Sequence, residues 1–112
     1  MKIASLILIS IFLIASSGYA HPPSDIKASY NKDKNVLTIN ITHPVRNPEK
    51  HFVDDVKVTK NGDIISDETF TSQTTNNIQS ISIESLNLKS GDEITVEAEC
   101  NIHGKTKKSI TL

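Results

Sequence analysis

The 112-residue chain has no tryptophan, one cysteine, four glycines and four prolines, and aromatic residues make up only 4% of it. A single cysteine, Cys100, excludes an intrachain disulfide, the staple on which many small exported domains depend. The shortage of aromatics limits the core, because Phe, Tyr and Trp bury the largest areas of any side chains. No sign of charge is in excess: 12 Lys and Arg stand against 13 Asp and Glu, and the two signs are interspersed. That balance gives no basis for binding nucleic acid or an anionic membrane surface. No internal repeat, low-complexity tract or long linker divides the sequence.

The one long apolar run is N-terminal. Lys2 precedes a stretch from Ile3 to Leu13 interrupted only by serines, and Ser16, Ser17, Gly18, Tyr19 and Ala20 follow. Small residues three and one positions before a break after Ala20 predict a cleaved signal peptide over residues 1–20. Its apolar core is shorter than the roughly 20 residues a bilayer span needs. No cysteine near the break offers a site for lipid. The expected product is an exported protein, periplasmic or extracellular, that begins at His21 and has no membrane span. It would comprise 92 residues (112 − 20), with 11 Lys and Arg after loss of Lys2 against 13 Asp and Glu, enough for one small domain over 21–112.

Apolar periodicity of two predicts strands almost throughout. Ile26 to Tyr30 reads as a strand, and Asn31 to Asn35 as a polar turn. Leu37, Ile39, Ile41 and His43 then share one parity, with Thr38, Asn40 and Thr42 on the other. Pro44 and Pro48 cannot donate to a ladder, which makes residues 44–50 a loop. Phe52 to Lys60 and Asp63 to Phe70 flank Asn61-Gly62, a hairpin signal. Thr71 to Asn77 is a polar turn region, Ile78 to Ile83 another strand, and Leu86 to Asp92 a connection. Ile94, Val96, Ala98 and Cys100 form a last inward stripe. Gly104 permits a reversal, and Lys105 to Leu112 is an edge strand guarded by lysines. About seven short strands predict an all-β, immunoglobulin-like sandwich.

Metal chemistry is the main functional signal. His21, His43, His51 and His103 are the chain's four histidines, and Cys100 pairs with His103 across Cys100-Asn101-Ile102-His103. Imidazole and thiolate donors suit a borderline or soft transition metal and not calcium or magnesium. Each residue also has an ordinary reading, Cys100 above all, since a cysteine that continues an apolar stripe is a common small core residue. From the residues alone three classes stay open: a redox metal centre, an exported copper carrier or sensor in which His21 chelates through its α-amine and imidazole, and a metal-free interaction module.

The segments His43-Pro44, His51-Phe52-Val53 and Cys100-Asn101-Ile102-His103-Gly104, in that order, resemble the iron-binding domain of the superoxide reductases, the desulfoferrodoxin and neelaredoxin family. The resemblance spans residues 21–112, which it implies are a desulfoferrodoxin-like iron-binding domain. It implies mononuclear iron cycling between Fe2+ and Fe3+, held by His21, His43, His51 and His103 with Cys100 as the axial sulfur. Superoxide would be the substrate and an external protein the electron donor. A thiolate opposite an open position pushes electron density onto iron, as in thiolate-ligated haem. N–H groups of Ile102 and His103 are expected to point at the sulfur. The chain departs from the family at its first histidine, which lies in His21-Pro22-Pro23 and not in a Glu-Lys-His-x-Pro loop. Lys50, within Glu49-Lys50-His51, is the candidate to take over the catalytic lysine's attraction of the anion. All five donors are expected to form one cluster.

Overall fold

Alternation of apolar and polar residues governs the chain from Asp25 onward. The computed structural model describes residues 21–112, and the expected signal peptide, 1–20, lies outside the described residues. Seven strands follow one another with no helix among the described residues: β1 Asp25–Asn31, β2 Val36–Thr42, β3 Val53–Lys60, β4 Asp63–Thr69, β5 Ile78–Ile83, β6 Glu93–Cys100 and β7 Lys105–Thr111. They form two antiparallel sheets, ordered β1-β2-β5 and β4-β3-β6-β7, which is the β-sandwich the strand pattern predicts.

The inward parity of each sheet makes the core. Ile26, Leu37, Ile39, Ile41 and Ile81 from the three-stranded sheet are buried, as are Val53, Val56, Val58, Ile94, Val96 and Ala98 from the four-stranded sheet. Burial of each such Val or Ile contributes about 1.5–3 kcal/mol, and aliphatic packing thus takes the place of the missing aromatics. Asn61 and Gly62, with φ of 50° and 91°, form the tight β3–β4 turn that the Asn-Gly pair predicts.

Strand direction gathers the chemistry at one end. The start of β1, the end of β2 and the start of β5 are aligned by Asp25 opposite Thr42 and Thr42 opposite Ile78. In the other sheet Val53 at the start of β3 is opposite Cys100 at the end of β6. Segments 21–24, 43–52, 70–77 and 101–104 therefore converge on the same rim. A register shift between Val53 and Asp55 marks a bulge at Asp54, which frees the first residue of β3 to follow its own path into the rim.

Candidate metal centre

His43 continues the buried row of β2 by one residue past the strand. The regular ladder ends at Thr42 because Pro44 has no N–H. The chain nevertheless stays tied: the His43 N–H donates to the Asn77 carbonyl at 2.8 Å and the Val45 N–H to the Asn76 carbonyl at 2.7 Å. The imidazole is consequently fixed in the core with no solvent exposure.

His51 is delivered by a turn over 47–51. Its N–H and that of Lys50 donate to the Asn47 carbonyl at 2.9 and 3.1 Å, and the Asn47 side chain accepts the Glu49 N–H at 3.0 Å. Asn101 fastens this turn to the end of β6. Its N–H donates to the Phe52 carbonyl at 2.9 Å, its Oδ1 accepts the Phe52 N–H at 2.9 Å, and its Nδ2 donates to the Lys50 carbonyl at 3.0 Å. These bonds set His51 Nε2 3.2 Å from the Sγ of buried Cys100. The Ile102 N–H donates to the same sulfur at 3.4 Å, as the sequence leads one to expect of this turn.

His21 reaches the rim on a strap. Ser24 N–H donates to the Thr42 carbonyl at 2.8 Å, and the Thr106 hydroxyl donates to the Pro23 carbonyl. Pro22 lies over Gly104, whose φ is +84° and where a Cβ would come within 3.0 Å of the proline ring. Glycine is thus required at 104 twice over, by backbone conformation and by the strap above it.

The three rings of His21, His43 and His51 pack together, with centroids 5.1, 5.4 and 4.8 Å apart. One donor nitrogen from each lies within 4.8 Å of the others, so the three could hold one metal ion. Nitrogens bound to a single first-row ion at about 2.1 Å are at most about 4.2 Å apart, and a nitrogen and a sulfur bound at right angles are about 3.1 Å apart. With donor atoms up to 4.8 Å apart, the triad would have to draw together to bind one ion, whereas the His51–Cys100 pair at 3.2 Å is already at such a distance. Burial, followed by the charges of His43 and His21, holds the His51 pKa below its ordinary 6.5, which favours the neutral ring that a metal would require.

Of the residues singled out in the sequence, His21, His43 and His51 thus share one cluster and Cys100 adjoins it through His51. His103 is exposed on the β6–β7 turn and falls outside the triad. Lys50 is exposed, with its carbonyl anchored to Asn101. Pattern reasoning did not single out Gln73, because a glutamine in a polar segment is ordinary. It is buried, and its side chain spans His43, Val53 and Thr75.

The fold and rim define a β-sandwich with a histidine cluster suited to a metal ion. No protein-family model matches the sequence, and no curated protein does. The fold is similar to that of a superoxide reductase (1Fe-SOR) from Giardia intestinalis, with a TM-score of 0.60 and 18% sequence identity over 82% of this chain and 100% of that chain. At this identity the likeness is one of fold.

Proposed function

We propose that the chain is an exported mononuclear iron protein that reduces superoxide to hydrogen peroxide. The observation that carries this reading is the Cys100 sulfur 3.2 Å from His51 Nε2, beside three clustered imidazoles. Several imidazoles and one soft sulfur suit a redox-active first-row metal, and the fold likeness to a superoxide reductase supports the same reading. His21, His43, His51 and Cys100 would hold the iron, and His103 would complete the set if its exposed side chain turned inward. Ferrous iron bound there would supply one electron to superoxide, which leaves with two protons as hydrogen peroxide, and an external donor protein would restore the ferrous state.

The chain's own groups prepare that chemistry. The Ile102 N–H donates to the sulfur and withdraws charge from it. Arg46 and Lys50, both exposed on the loop that carries His51, would add positive charge to this rim and attract an anion. The triad without its sulfur favours a second reading, an exported copper carrier or sensor built on His21, because imidazoles suit copper and copper tops the divalent affinity order.

Stopped-flow mixing of the Fe(II)-loaded protein with superoxide tests the first reading. Iron oxidation faster than in Cys100→Ser supports it, and equal rates contradict it. Equal rates with copper as the co-purifying metal would move the assignment to the carrier. Lys50→Ala should slow the reaction about tenfold at low salt if that lysine attracts the anion.

A further inference from the structure

The hydrogen bonds of Gln73 fix which nitrogen His43 has free. Gln73 is 5% exposed and His43 fully buried, so water cannot substitute for either partner. The Gln73 side chain touches four groups, and three are backbone groups whose roles are not negotiable. Its Nε2 donates to the His43 carbonyl at 2.8 Å and to the Thr75 carbonyl at 3.0 Å, and its Oε1 accepts the Val53 N–H at 3.2 Å. Reversing the amide would set its oxygen against two carbonyls and its NH2 against an N–H, three repulsive contacts in place of three bonds.

With the amide so oriented, the atom facing His43 Nδ1 at 2.8 Å is Oε1, an acceptor. His43 Nδ1 must therefore carry the hydrogen. In the neutral ring the other nitrogen, Nε2, then has a lone pair and no hydrogen. It lies 3.2 Å from the carbonyl oxygen of His21, also an acceptor, so in the neutral ring two lone pairs face each other, and a second proton or a metal cation would relieve the repulsion. A cation beside them would turn that repulsion into attraction, and the His43 ring packs on both other rings of the triad.

We propose that Gln73 is a positioning residue of this site: it locks His43 in the Nδ1–H tautomer and so reserves Nε2 for a metal ion. The proposal rests on the reading of the triad as a metal site. It also links that site to the fold, since the same glutamine ties the loop after β4, through its own N–H to the Pro48 carbonyl at 2.9 Å, to the turn that delivers His51. An outer partner that orients a ligating imidazole raises its basicity and typically changes metal affinity 10- to 100-fold.

Long-range 1H–15N correlation spectra of the metal-free protein, at a pH where the ring is neutral, read the tautomer without reference to any metal. An imidazole free in water favours Nε2–H, so an Nδ1–H signature for His43 in the wild-type protein supports the proposal and Nε2–H overturns it. In Gln73→Met, similar in volume and without hydrogen-bonding groups, His43 should revert toward Nε2–H and Zn2+ affinity should fall about 10- to 100-fold. An unchanged tautomer in that variant overturns the proposal. If the variant does not fold, the wild-type spectrum still decides. An Nδ1–H His43 in a protein that binds no metal would sink the functional reading and leave the tautomer lock standing, whereas metal binding with Nε2–H would do the reverse.

Discussion

His51 connects the two halves of the site, since its ring packs on His43 and His21 while its Nε2 meets the Cys100 sulfur. Its depressed pKa has two consequences of definite sign. A proton competes with metal for the ring, and a ring that holds protons weakly gives way to metal at lower pH. The share of Zn2+ affinity that His51 supplies, read by calorimetric titration of the wild-type protein against His51→Ala, should persist to lower pH than an ordinary imidazole ligand allows, and the substitution should lower the affinity on the order of a hundredfold. In the metal-free protein the unfolded chain takes up this proton more readily than the folded one. The contribution of His51 to stability should accordingly be lost as pH falls below 6.5. The donors are legible in the sequence because residue type announces ligand chemistry. The Gln73 role is not, because it depends on partners 30 and 20 residues away in the chain and on the sense of an amide. The placement of His103 was equally closed to pattern reasoning, since a Cys-x-x-His pair leaves open which way its second side chain turns.

At the scale of elements, the strap and the β6–β7 turn act as one unit. Gly104→Ala would put a methyl group against Pro22 at a φ of +84°, whereas Gly91, at +94°, has open space around its missing Cβ. Both substitutions should cost about 1–3 kcal/mol of backbone strain in thermal unfolding. Only Gly104→Ala should also weaken metal binding, because it alone displaces the segment that holds His21. The outer face of the four-stranded sheet makes a separate prediction. Burial, a hydrogen bond to Asp67 and the charges of Asp67, Asp54 and Glu99 push the Asp55 carboxyl up to about 6. The folded chain thus binds more proton than the unfolded one between 3.8 and about 6, and this group's contribution to stability is lost as pH rises through that window. Asp67→Asn should raise the Tm at pH 7.5 by roughly 2–4 °C, on a solvent-screened effect of about 0.5 kcal/mol, and change little below pH 4. The strands are legible in the sequence, most of them from period-two patterning, β4 from the Asn-Gly turn before it and β7 from the reversal at Gly104 and its lysines, along with the proline-bearing loop. The bulge left a trace as well, since Asp54 and Asp55 are two successive polar residues between inward-facing Val53 and Val56.

For the whole molecule, the small aliphatic core and the lack of a disulfide leave a metal as the natural staple. An ion that binds only the folded chain adds about 2.7 kcal/mol at a hundredfold excess over its Kd, on the order of 10–20 °C in Tm for a domain of this size. Chelation should remove that increment, and Cys100→Ser should reduce it while shifting the metal-free Tm little. A loss of equal size with and without metal would mean that Cys100 serves the fold as core packing. Binding of one ion by imidazoles and the Cys100 thiolate at this end of the sandwich can be read directly by X-ray absorption at the iron edge of the Fe(II)-loaded protein. The spectrum should show a shell of nitrogen neighbours with one sulfur at about 2.3 Å, the sulfur disappearing in Cys100→Ser and the iron itself in a variant lacking His43 and His51. Iron with no sulfur neighbour in the wild-type protein, or a spectrum that Cys100→Ser leaves unchanged, would contradict it.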